Sequence, residues 1–172
     1  MWDAIAREAA EESRLWGAAL RVDGERERIA VFSPLADERY ALGLETIYEG
    51  YLVHYGTPRL FAPADPDTAL LLGDYLYAHG LVRIADCGEV AAVADLSELI
   101  SLSSQLRAEN ADGDGALWAA TASLLGRNGE LDRPRSALRL HGDAGPLDRA
   151  ARAAAGDAAV ERALAAHAGR LG

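Results

Sequence analysis

Residues 69–86 read ALLLGDYLYAHGLVRIAD, and the architecture of the chain turns on this stretch. Leu70, Leu71, Leu72, Tyr75, Leu76, Tyr77, Leu81, Val82 and Ile84 leave almost no polar side, and Asp67 ahead of them is a good N-cap. A helix that is apolar all round is normally surrounded by others. The pattern therefore predicts a helix from Ala69 to about Asp86 in the middle of a helical core. Asp74 is then a carboxylate in the most hydrophobic helix. Burying it unpaired costs several kcal/mol, so it must be a polar clasp to a neighbouring element or the acid of a metal or phosphate site. Gly73 beside it lets another helix approach closely.

Working outward, Ala and Leu dominate and β-branched residues are sparse, which favours helix almost throughout. On the N-terminal side, Leu35 to Tyr55 predicts a helix with Tyr40, Leu44, Ile47, Tyr48, Tyr51, Leu52 and Tyr55 on one broad face. Gly56-Thr57-Pro58 stops it. Before it, Val22 to Pro34 reads as an irregular connection, and Trp2 to about Leu20 as an amphipathic surface helix. On the C-terminal side, helices are expected over about Glu89–Ala108 and Ala116–Leu125. A polar turn-rich segment follows over Arg127–Pro134, then two Ala-rich helical pieces from about Ser136, separated near Gly156. The expected organisation is one all-α domain over residues 1–172: an N-terminal helix and connection to residue 34, core helices over 35–126, and a helical tail over 136–172.

The composition narrows the function. The chain has 172 residues, 27 acidic side chains against 17 basic ones, and a formal net charge of −10. Such a balance argues against nucleic-acid phosphates and against an anionic membrane surface. The single Cys excludes an internal disulfide framework and a Cys-based zinc finger. No run approaches the roughly 18 consecutive apolar residues of a membrane span, and Met1-Trp2-Asp3-Ala4 does not open like a signal peptide. A cytoplasmic location is expected.

Few residues are grouped as catalysis requires. Glu45 and Glu49 lie i, i+4 on one helical face with His54 about a turn further on, a set that would hold a divalent metal or form an acidic stripe. Cys87 precedes a Gly at a helix end without a His or Asn near it in sequence. There is no GxSxG elbow, no Walker A and no dinucleotide fingerprint. The tyrosines, above all Tyr48, Tyr51 and Tyr75, would line an apolar pocket or supply core volume.

The order of segments carries more information than any one residue. Leu70-Leu71-Leu72-Gly73-Asp74-Tyr75-Leu76-Tyr77-Ala78, coming after Tyr55-Gly56-Thr57-Pro58 and a loop, resembles the Leu-Ala-Gly-Asp-Tyr-Leu helix of trans-polyprenyl diphosphate synthases. Leu96 to Glu109, with Ile100-Ser101 and Gln105, is similar to the next helix of that family. Ala116-Leu117-Trp118-Ala119-Ala120 through Leu125-Gly126 is similar to its Lys-Thr-Ala helix, and Leu138 to Leu147 faintly resembles the approach to its second metal-binding helix. The likeness covers roughly residues 41–150. It implies a helical bundle like a truncated isoprenoid synthase fold.

The departures from that family are as informative. Its two Asp-rich motifs hold three Mg²⁺ ions that ionise an allylic diphosphate. Here Glu45-Thr46-Ile47-Tyr48-Glu49-Gly50-Tyr51 stands at the first motif and Leu147-Asp148-Arg149-Ala150 at the second. The diphosphate-binding Lys has no counterpart, because the chain contains no Lys, and Gly115-Ala116 stands where Lys-Thr would be. The resemblance thus implies a degenerate relative, like the small partner subunits of heterodimeric synthases. Expected partners are a catalytic prenyl diphosphate synthase, a second copy of this chain, or both, since a shortened fold leaves apolar helix faces uncovered. No cofactor of its own is expected, Mg²⁺ entering only through the catalytic partner. Asp74 and Gln105 match family positions, and Tyr48, Tyr51 and Tyr75 are candidates for a prenyl channel or an interface. The rival expectations are a divergent metal enzyme using Glu45, Glu49 and Asp74, and an unrelated helical adaptor.

Overall fold

The computed structural model describes residues 1–127 and 129–171; Asn128, in the sequence read as turn-rich, and Gly172 lie outside the described residues. Nine α-helices form among the described residues, joined by loops and short 3₁₀ turns: α1 (Trp2–Glu12), α2 (Arg14–Ala19), α3 (Ala41–Tyr55), α4 (Pro66–Ala85), α5 (Val90–Ala108), α6 (Asp114–Ser123), α7 (Asp132–His141), α8 (Gly145–Ala155) and α9 (Asp157–Ala168). There is no sheet among them, only an isolated antiparallel bridge between Leu20 and Phe61. None of these helices is long and apolar enough to cross a membrane.

Several boundaries differ from the sequence expectation for local reasons. The first helix divides at Ser13, whose extended backbone (φ −148°, ψ 137°) lets its side chain accept from the Leu15 amide and start α2. The cap of α4 is Asp65 rather than Asp67. Asp65 Oδ1 accepts from the Thr68 amide at 2.9 Å, and Pro66 occupies the first turn, where no amide is needed. Short 3₁₀ turns over Ser33–Leu35 and Glu38–Tyr40 precede α3, so the regular helix starts at Ala41. The tail holds three helices: α7 ends at Gly142 (φ 66°), and Gly156 (φ 85°) separates α8 from α9.

The central helix is α3, not α4. Every residue from Gly43 to Val53 is buried, whereas α4 exposes Leu70, Leu71 and Val82 at 55 % each. The apolar count of α4 measured its composition, and composition cannot say whether an apolar face is covered. The polar residues of α3 fooled the same reasoning in reverse, because they find partners inside the protein.

Gly43 and Gly50 on α3, and Gly73 and Gly80 on α4, are each seven residues apart and set the packing between these two helices. A Cβ at Gly80 would come 3.0 Å from the Gly43 carbonyl oxygen, and one at Gly50 would come 2.9 Å from that of Gly73. The helices therefore run antiparallel in backbone contact at two points, as close as missing side chains permit.

On its other flank α4 receives α1. Glu8 Oε2 accepts from Arg83 Nη2 at 2.5 Å and lies 3.0 Å from His79 Nε2. The hydrogen bond from Arg83, then that from His79, lowers the Glu8 pKa to about 2 from an ordinary 4.5. A depressed carboxylate stabilises the fold fully above its unfolded pKa and loses that contribution as pH falls toward the folded one. Glu8→Gln should therefore cost at most about 1 kcal/mol near neutrality, because the pair is partly solvated. The difference from the parent should vanish as pH falls from 4.5 toward 2, read by urea titration at each pH.

Candidate functional site

Two buried polar centres meet around Tyr48, and α3 supplies both. The first is built on Arg59, in the loop after α3, and on Glu45 and Glu49, all three fully buried. Arg59 Nε donates to Glu49 Oε2 at 2.8 Å and Nη1 to Glu45 Oε2 at 2.5 Å. Nη1 also reaches the Ile29 carbonyl at 2.9 Å, and Nη2 the Glu45 carbonyl at 3.1 Å. The other carboxylate oxygens are equally occupied: Glu45 Oε1 accepts from the Val31 and Ser33 amides, and Glu49 Oε1 from the Leu60 amide. The guanidinium lies between the rings of Trp2 and Tyr48, 4.6 and 5.0 Å from their centroids. One side chain thus ties α1, the 29–33 segment, α3 and the 57–61 loop together.

The i, i+4 spacing does bring Glu45 and Glu49 to one face, but that face meets a guanidinium. Their four oxygens are taken, and a cation there would confront the Arg59 charge. These residues do not fit a Mg²⁺ cluster. His54 points elsewhere, against α4, into the space Gly73 leaves: a Cβ at Gly73 would collide with the His54 ring.

The second centre joins α3, α5, α6 and α9. Tyr48 Oη lies 2.9 Å from His167 Nδ1, and His167 Nε2 lies 3.1 Å from Asp114 Oδ2. A carboxylate only accepts, so His167 Nε2 carries the proton that faces Asp114, while Nδ1 pairs with the Tyr48 hydroxyl. Asp114 Oδ2 also accepts from the Tyr51 hydroxyl and from Arg107 Nη2, while Arg107 Nε donates to Tyr51 Oη at 2.7 Å. Burial opposes the Asp114 charge. The hydrogen bonds from His167 and Tyr51 and the charges of His167 and Arg107 outweigh it, holding this carboxyl well below the usual range. Burial pushes the Tyr48 and Tyr51 phenols up, so both remain protonated donors. The position of Asp114 in the first turn of α6 favours its negative charge further.

The space between these groups is filled with rings. Tyr48 meets Phe32 edge-on at 5.1 Å and Trp118 at 5.1 Å, Tyr51 packs on Trp118 at 5.3 Å, and Phe32 stacks on Trp118 at 5.5 Å. Tyr48 and Tyr51 therefore act as core volume with satisfied hydroxyls. Tyr75 belongs to a separate cluster, half-buried between Trp16 and His79 on the α1–α2 side. The three tyrosines do not line one channel.

The remaining candidates lie at the surface. Asp74 is exposed (65 % of its side chain), with Oδ1 3.3 Å from His54 Nε2, close enough for an ion pair when the ring is protonated but off the line of a hydrogen bond. It is neither the buried carboxylate expected nor part of the Glu45–Glu49 group. Burial pushes the His54 pKa down, and Asp74 partly restores it. Gln105 is exposed and donates to Glu109 at 3.0 Å. The Cys87 thiol, half-buried, faces the Arg39 and Arg83 carbonyls at 3.4 Å. Between α5 and α7 a polar groove of about 560 Å³ is crossed by paired charges, Arg135 with Asp95 and Arg139 with Glu98.

Sequence reasoning missed Arg59, Arg107, Asp114 and His167. Only Arg59 had a local signal: it is the first base after a helix that carries two glutamates on one face. Compared with protein-family models, with curated proteins and with solved structures, the chain matches none of them.

Proposed function

We propose that this chain is a non-catalytic subunit or regulator of a prenyl diphosphate synthase, acting through helix–helix association and influencing product chain length. The observation that carries the reading is the Arg59 clasp. Where the resembled family places its first Asp-rich motif, this chain has Glu45 and Glu49 saturated by Arg59 and three backbone amides. The chain is all-α, and the acids at that place hold the fold together. Departure of a diphosphate needs cations to neutralise developing charge, and a chain of net charge −10 repels such a substrate. The likeness of residues 70–78 and the segments that follow to the synthase sequences supplies the partner class.

The test is to isolate the chain alone and from its host, weigh both preparations by light scattering, and assay each with an allylic diphosphate, isopentenyl diphosphate and Mg²⁺. The expected result is no elongation by the chain alone, and a heteromer with a synthase whose product lengths change when this chain is withdrawn. Turnover by the purified chain overturns the proposal. Recovery without any synthase moves the weight to a stand-alone helical binding protein.

A further inference from the structure

The outer face of α4 carries a second kind of information. Leu70, Leu71 and Val82 are 55 % exposed, Leu81 is half-buried, and Asp74 and Ala78 are exposed between them. The stripe is free of basic side chains, since Arg83 turns inward to Glu8 and Thr46. Its chemistry is also symmetric about residue 76. In an antiparallel pairing centred there, Leu70 meets Val82 of the other helix, Leu71 meets Leu81, and Asp74 meets Ala78. Asp67 meets Ala85 at the ends. Each large apolar side chain faces another, and each carboxylate faces a methyl group, so no two acids confront each other. Parallel pairing in register would place Asp74 on Asp74 and Asp67 on Asp67.

From this symmetry and charge placement we propose that the outer face of α4 is a two-fold interface between two copies of this chain. A surface that is its own complement under a half-turn is what an isologous dimer requires. Ala78 and Ala85 let the helices approach. The copies each carry a net charge of −10, so repulsion opposes an interface held by apolar contact. The dimer is accordingly tightened by salt, the reverse of an association held by ion pairs. The proposal stands independently of the synthase reading, which concerns a different partner.

Sedimentation of the whole chain over a concentration series tests it. The expected mass is twice the 18.2 kDa of one chain, with tighter association at high salt. Leu71→Glu, and independently Val82→Glu, should weaken the dimer roughly 100-fold, because each change occurs twice per interface. Circular dichroism should remain that of the parent, since both positions face solvent in the single chain. The register is tested in a Cys87→Ser background. Asp74→Cys with Ala78→Cys should give an oxidised covalent dimer, and Ala78→Cys alone should not. Two Ala78 positions are offset by four residues, about 6 Å along the axis, which with the helix separation exceeds disulfide reach. A monomer at every concentration overturns the proposal. A dimer indifferent to Leu71→Glu does the same, as does a complex in which that substitution releases a different protein while the chain itself stays monomeric.

Discussion

Arg59→Met should cost about 3–5 kcal/mol of folding stability, because it leaves two fully buried carboxylates facing each other without their cation. For a chain of this length that corresponds to a fall in melting temperature of roughly 10 °C or more. Methionine keeps most of the volume, so the loss reports charge rather than a cavity. A triple variant, Arg59→Met with Glu45→Gln and Glu49→Gln, should recover much of it, since neutral amides need no counter-charge. The 29–33 segment should loosen first in hydrogen exchange, because Arg59 and Glu45 hold its Ile29 carbonyl and its Val31 and Ser33 amides. A melting temperature close to the parent's would show that the clasp is dispensable, and with it the structural account of the two glutamates.

Alanine at Gly50 and Gly80 should destabilise the chain even though alanine is the better helix former. At an open helical site the exchange gains roughly 0.5–1 kcal/mol. Here a Cβ at Gly80 would collide with Ile47 Cγ1 and lie 3.0 Å from the Gly43 carbonyl, and one at Gly50 would lie 2.9 Å from the Gly73 carbonyl. Ile47 can give way, but the backbone oxygens cannot without separating the helices. Overpacking of this kind costs about 1–3 kcal/mol per site, so the double variant should lose roughly 2–6 kcal/mol by urea denaturation. Gly24→Ala is the control: a Cβ there meets nothing within 4 Å, and stability should hold or rise slightly. A stabilised Gly80→Ala would mean that α3 and α4 do not touch through their backbones.

Both predictions concern α3, the helix whose place the linear pattern misjudged. The all-helical class was legible because it rests on local physics. Scarce β-branched residues, Gly56-Thr57-Pro58 closing α3 and Gly156 separating α8 from α9 act through propensity and backbone geometry within a few residues. The packing role of Gly73 was legible too, because a glycine inside a helix is costly unless something needs the space. The burial of α3 on every side was not, since its glutamates read as a metal set or an acidic stripe until Arg59 was brought to them, and nothing in the sequence tied Tyr48 and Tyr51 to Asp114 and His167. Their separations along the chain are 10 to 119 residues. Spacing within a helix places side chains on a face, but it does not say what that face meets. Hence Glu45 and Glu49 shared a face as expected and found a guanidinium there, Tyr75 parted from Tyr48 and Tyr51, and Asp74 came to the surface. Composition and periodicity act over single turns; partners and burial come from contacts between helices distant in the chain, and these alone distinguish a metal-binding pair of acids from a structural one.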